Sequence, residues 1–150
     1  MRKVNKKLVI LMAMLLMASV LAVGCSSNKT TTEQPAPAAS DTIKVGVYEP
    51  LTGTNAAGGQ MTLEGIKLAN QLYPEVLGKK VELVVVDNKS EKQEAANAVA
   101  RLVSQDKVNV IIGSYGSSVS MAGGPVAKDA KVPVIGCSPT NPAVTLGNEY

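Results

Sequence analysis

Four short runs rich in Ile and Val recur along the chain, and the stretch between each pair is long enough for one helix. They are Ile43–Tyr48 (IKVGVY), Val81–Val86 (VELVVV), Val108–Ile112 (VNVII) and Val132–Gly136 (VPVIG). Runs of this length, dense in β-branched residues, predict strands, and the near-continuous VELVVV predicts a strand buried on both faces. Gly59–Tyr73 reads as a helix with Ile66, Ala69, Leu72 and Tyr73 on one face, and Pro74 ends it. Ser90 opens a second helix with Gln93 three residues on, a capping-box arrangement, and Ala95, Ala96, Val99, Leu102 and Val103 form its buried stripe. Ser117 or Ser118 caps a third helix that reaches Ala130. Strand and helix alternating through short turns, with right-handed crossovers, predict an α/β fold: an open parallel sheet with helices on both faces. The only aromatic residues are four tyrosines, so the core must be built from Val, Ile, Leu and Ala.

The alternation begins only near Asp41. Ahead of it, Arg2, Lys3, Lys6 and Lys7 form a positive cluster, and Leu8–Val23 follows as sixteen uncharged residues, apolar except for Ser19. That run falls short of the roughly 20 apolar residues of a stable membrane span and has the layout of a secretory signal. It ends in Leu21-Ala22-Val23-Gly24-Cys25, which resembles the lipobox of bacterial lipoproteins. Small residues before the cysteine suit a narrow peptidase site, and the thiol is the nucleophile that accepts the lipid. Residues 1–24 are thus expected to be a signal peptide. Residues 25–40 are a lipidated Cys25 and a flexible tether rich in Ser, Thr, Pro and Ala. Residues 41–150 are the folded part, and the protein is placed on the outer face of the cell membrane.

The signal also accounts for the charge. The chain has 15 basic and 12 acidic residues, and four of the basic and none of the acidic ones lie in residues 1–24. The remainder holds 11 against 12, so no nucleic-acid surface is implied. An acylated Cys25 leaves Cys137 without a disulfide partner, and with no histidine in the chain to activate it Cys137 reads as a small, partly buried side chain.

In an open parallel sheet, ligands bind beyond the carboxyl ends of the strands, where helix N-termini present free N–H groups. Three segments fall there: Glu49–Gly59 (EPLTGTNAAGG), Gly113–Ser118 (GSYGSS) and Cys137–Pro142 (CSPTNP). The last two offer hydroxyls and backbone donors without side-chain charge, which suits a carboxylate. Glu49 and Asp87 stand alone at strand ends, as turn or cap residues do. Neither a P-loop nor a G-x-G-x-x-G is present, no cofactor or metal is implied, and the expectation is a binding protein rather than an enzyme.

The stretches IKVGVYEPLTG, EGIKLAN, VELVVVDN, VNVIIGSYGSS and VPVIGCSPTNPAVT together resemble the first part of the type I periplasmic binding proteins of the branched-chain amino acid group. The resemblance runs from Ile43 to Thr145. It implies that Ser117 and Thr140 bind a ligand α-carboxylate and that the carbonyl of Ser138 takes the ammonium. Two structural roles stay open beside these: Ser117 capping its helix and Thr140 bracing a turn. Tyr115 either floors the pocket or packs on the sheet.

Some relatives set an aromatic ring in the loop after the first strand, where this chain has only the small residues Asn55–Gly59. The expected ligand is a small, branched-chain-like amino acid or related carboxylate, and this loop weakens a specific assignment to leucine, isoleucine or valine. The family closes two lobes around its ligand, and residues 41–150 correspond to the first, so this stretch alone is expected to bind weakly or not at all. An ABC permease and its ATPases are the implied partners. A ligand sensor on the same fold and an α/β surface enzyme are the alternative readings.

Overall fold

The Ile- and Val-rich runs pair as strands because each places side chains on two faces that helices cover. The computed structural model describes residues 41–150; the expected signal segment, Cys25 and the tether lie outside these. Strand β1 (Thr42–Glu49) is central. After it come helix α1 (Ala56–Leu72), β2 (Glu75–Val76) and β3 (Lys79–Asp87). Helix α2 (Lys92–Arg101) continues into a π-helical turn, Leu102–Asp106, before β4 (Val110–Ile112), α3 (Ser117–Asp129) and β5 (Val134–Ile135). A 3-10 turn, Pro142–Val144, follows.

The sheet order is β2-β3-β1-β4-β5. β1 runs parallel to β3 from Thr42 opposite Lys80 to Glu49 opposite Asp87, and parallel to β4 on its other side. β5 is parallel to β4. The expected α/β architecture is therefore present, with one addition. β2 pairs antiparallel to the start of β3 through the turn at Leu77 and Gly78. Two residues are too few to show a periodicity, so this edge strand left no signal in the sequence.

Alternation along the strands divides the side chains between the faces. Tyr48 and Ile111 join Ala95, Ala98, Val99 and Leu102 of the second helical segment and Val119 and Ala127 of α3 in one buried cluster. Full burial of the valine, leucine and isoleucine side chains among these contributes roughly 1.5–3 kcal/mol each. Val84 and Val86 pack on this cluster, whereas Val81 and Leu83 point to the other face and line an apolar groove of about 590 Å³ beneath α1. β3 is thus only half-buried, contrary to the expectation for VELVVV, and Val85 is 36 % exposed. The cause lies in α1. Only Gly59 and Leu63 of that helix are buried, both in its first half. Toward its C-terminal end Leu72 and Tyr73 are exposed, and nothing stands within 4 Å of the place a Cβ on Gly65 would occupy.

The helix starts also differ from expectation. α1 begins at Ala56, so Ala56–Gly59 are helical rather than loop. Two glycines discourage such an assignment, since each costs about 1 kcal/mol relative to alanine in a helix. Here close approach requires them. A Cβ on Gly59 would stand 2.2 Å from the Pro50 carbonyl oxygen, and one on Gly58 would stand 2.4 Å from the Tyr115 ring. The capping box at Ser90 does not form. α2 begins at Lys92 with Glu91 before it and no side-chain cap. The Ser90 hydroxyl instead donates to the Thr52 carbonyl and accepts the Asn55 N–H, both at 3.0 Å. Stitching the β1–α1 loop to the end of β3 has displaced the local cap.

The two glycines lead to opposite outcomes. Gly59→Ala presses on backbone that has no room to yield and should cost about 2–3 kcal/mol. Gly58→Ala meets the outer end of a half-exposed ring, so the ring swings away and stability stays within about 1 kcal/mol of the parent. Urea unfolding followed by near-ultraviolet circular dichroism checks both, and equal destabilisation by the two substitutions contradicts this packing.

Candidate ligand-binding site

The carboxyl ends of β1, β3, β4 and β5 meet at one edge, as a parallel sheet requires. There α3 begins at Ser117, with Gly116 before it at φ 103° and no side-chain cap. Neither Ser117 nor Ser118 therefore caps the helix, correcting that expectation. The Ser117 hydroxyl accepts hydrogen bonds from the N–H groups of Thr140 at 3.1 Å and Asn141 at 3.2 Å. Two residues 23 apart in sequence are thereby brought together at a helix N-terminus, whose first N–H groups lack intrahelical acceptors. Ser138 is exposed two residues before Thr140. The Asn141 side chain accepts from the Ala143 N–H at 2.9 Å and so caps the short turn that follows. Tyr115 is 38 % exposed, with its ring against Gly58 in the first turn of α1.

Beneath this edge lies a layer of buried polar groups. Glu49, at the end of the central strand, is completely buried, as are Asn88 and Ser114. Glu49 Oε2 accepts the Tyr115 N–H at 2.7 Å, and Oε1 accepts the Cys137 thiol at 3.3 Å. The Asn88 amide donates to the Tyr48 carbonyl at 3.2 Å and to Ser114 Oγ at 2.8 Å, and its Oδ1 accepts the Ser90 N–H at 3.1 Å. The Ser120 hydroxyl, one turn into α3, donates to the carbonyls of Ser114 and Gly116. Each loop at the edge is therefore fixed from below, and Glu49, expected to be a turn or cap residue, is instead a buried acceptor shared by two of the loops. The one available signal was an unbroken strand-like run ending in an acid followed directly by proline, Val47-Tyr48-Glu49-Pro50.

Asp87 does act as the turn residue expected of it. Its carboxylate accepts the N–H groups of Leu51, Thr52 and Lys89 and the Thr52 hydroxyl, the last at 2.6 Å. Burial pushes its carboxyl up, but these four hydrogen bonds outweigh that and hold it below the ordinary 3.8. Glu49 is shifted the opposite way. Its burial raises the carboxyl above the ordinary 4.5, and the Tyr115 N–H and Cys137 thiol offset this only in part. Cys137 is exposed as a residue, yet its thiol reaches inward to Glu49; burial, and then the nearby Glu49 charge, push it up to about 12. A thiol held that high is a poor nucleophile.

The two acids predict opposing pH effects on stability. Asp87 binds protons less readily when folded, so its contribution is present above about pH 3.8 and is lost as pH falls through its depressed folded value. Glu49 binds protons more readily when folded, so its contribution is present below about pH 4.5 and is lost as pH rises through its raised folded value. Urea midpoints measured across this range should lose the acid-side decline in Asp87→Asn and the decline on the rising side in Glu49→Gln. Asp87→Ala should also cost about 2 kcal/mol from its charge-assisted hydrogen bonds.

Residues 42–149 match the family model described as periplasmic binding protein. The fold is similar to that of a leucine-binding protein from Thermotoga maritima, with 47 % identity and a TM-score of 0.69 over 71 % of this chain and 30 % of that one. It is also similar to the substrate-binding protein of a branched-chain amino acid transporter from Streptococcus pneumoniae, solved in complex with isoleucine. That match has 37 % identity and a TM-score of 0.70 over 73 % of this chain and 32 % of that one. A third similar structure is a solute-binding protein of an ABC transporter from Rhodopseudomonas palustris, in complex with 3,4-dihydroxybenzoic acid. It shows 33 % identity and a TM-score of 0.70 over 73 % of this chain and 31 % of that one. The chain spans less than a third of the length of these proteins and of the curated relatives it matches. With a family match running from the first strand to the penultimate residue, and a fold that agrees with it, the chain belongs to the periplasmic binding protein family.

Proposed function

We propose that the chain forms the first lobe of an extracytoplasmic solute-binding lipoprotein, held at the membrane through Cys25. It captures a small amino acid or related carboxylate between two lobes and delivers it to an ABC permease driven by ATPases. The observation that carries this reading is the meeting of Ser117 and Thr140 at the N-terminus of α3, where the Ser117 hydroxyl accepts the Thr140 and Asn141 N–H groups and neither loop, 113–118 or 137–142, carries a basic side chain. Isoleucine and 3,4-dihydroxybenzoic acid, held by two of the similar proteins, share little beyond a carboxylate. A carboxylate is also the group that this arrangement of neutral donors favours. Ser117, Thr140, the carbonyl of Ser138 and the ring of Tyr115 are the proposed ligand contacts, with hinge closure of two lobes as the mechanism. The Cys25 tether keeps a captured solute close to its importer, raising the effective concentration there.

Titration of the isotope-labelled chain with L-isoleucine and with 3,4-dihydroxybenzoate tests the site by nuclear magnetic resonance. Millimolar ligand should shift the Ser117, Thr140 and Tyr115 amides, and 2-methylbutylamine, which lacks the carboxylate, should not. Ser117→Ala and Thr140→Ala should weaken the response about tenfold, the loss of a charge-assisted hydrogen bond. No response to either carboxylate at tens of millimolar removes the proposed site, and micromolar affinity by calorimetry removes the need for a second lobe. The anchor is tested separately in cells: Cys25→Ala should move the protein from the membrane to the soluble fraction, and an unchanged distribution rejects lipidation.

A further inference from the structure

We propose that Glu49 is the positioning residue of the ligand site, a single buried carboxylate that sets the separation of the two loops bearing Ser117 and Thr140. This rests on the ligand-site reading above and adds to it the device that fixes the site's geometry. Glu49 ends β1, the middle strand of the sheet, and no part of it is exposed. One carboxylate oxygen holds the Tyr115 N–H, two residues before Ser117, and the other holds the Cys137 thiol, three residues before Thr140. Its backbone carbonyl accepts the Asn88 N–H at 3.1 Å, tying in the loop after β3 as well. Above, the Ser117 hydroxyl joins the same two loops through the Thr140 and Asn141 N–H groups. The two loops are therefore clamped twice, once beneath by Glu49 and once at the surface by Ser117.

A buried carboxylate is an expensive way to fill space. None of the ion pairs among the described residues includes Glu49, so its charge is balanced only by hydrogen bonds. An apolar side chain of similar size would avoid that desolvation, which is several kcal/mol per ion in general terms. It would also leave the Tyr115 N–H without an acceptor and let the Cys137 loop go. A carboxylate supplies two acceptors on one rigid plane, one for each of the two loops that follow β4 and β5 on the same side of β1. Glutamine keeps one acceptor but turns a donor toward the sulfur, so it preserves one tie and weakens the other.

Backbone relaxation of the labelled chain, with no ligand present, reads the clamp directly. Glu49→Gln and Cys137→Ala should each lower the order parameters of residues 137–141 from the rigid range near 0.85 toward 0.6. The amides of Val47 and Ile111 within the sheet should keep their values. Glu49→Ala should loosen residues 114–117 too; if that variant fails to fold, the other two still decide. L-isoleucine affinity should fall about tenfold in Glu49→Gln and Cys137→Ala alike. Unchanged order in residues 137–141 of both variants overturns the proposal, as does loosening that spreads equally into the strands, which is the mark of a merely structural acid. Because relaxation needs no ligand, a chain that ignores isoleucine still reports on the clamp, and only the ligand-site reading is then lost.

Discussion

Parallel pairing of β1 with β3 on one side and β4 on the other is the constraint from which the rest follows. Parallel strands all end at the same edge, and each must be followed by a crossover that carries the chain back. That rule delivers Glu49, Asp87 and the Gly113–Ser118 loop to one rim, and β5 adds the Cys137–Asn141 segment beside them. Four stretches separated by dozens of residues become neighbours because of backbone hydrogen bonding alone. The chemistry of the rim is a second matter, built on positions the sheet has already assigned.

What makes the rim specific is how tightly its loops are drawn together. Gly113 passes so close to β1 that a Cβ there would meet the Tyr48 carbonyl oxygen at 2.6 Å. Its φ of 136° also lies where only glycine is comfortable. Contacts this close trap polar atoms away from water, and each must find a partner inside. Asn88, Ser114 and Ser120 meet that need for the loop after β4, Asp87 and Ser90 for the loop after β1, and Glu49 for two loops together. The polar layer under the rim is thus a consequence of the close packing above it.

Much of this was legible from residue order. The four strand runs, the three helices and most of the buried cluster follow from periodicity and from the geometry of parallel sheets, but the core is not built from Val, Ile, Leu and Ala alone, because fully buried Tyr48 joins them. The misread helix starts share one cause. Ser90 and Ser117 both look like helix caps because a hydroxyl before a helical pattern usually satisfies the nearest N–H. In the folded chain each is within reach of a distant backbone group, Thr52 and Asn55 for Ser90, Thr140 and Asn141 for Ser117, and takes that partner instead. The glycine pair in α1 misleads for the same reason: local propensity argues for a loop, and the approach of Pro50 and Tyr115 argues for a helix.

The sequence by itself determined the alternation of elements, and with it the fold class. Hydrophobic periodicity is a short-range property, written into any ten consecutive residues. Only the tertiary structure decided that Glu49 is buried between two loops, that Ser117 faces Thr140, and that α1 covers its side of the sheet only along its first half. Those facts depend on residues tens of positions apart meeting within about 3 Å. No local pattern encodes such a meeting, because it is fixed by strand order and by the space left when side chains from different elements converge.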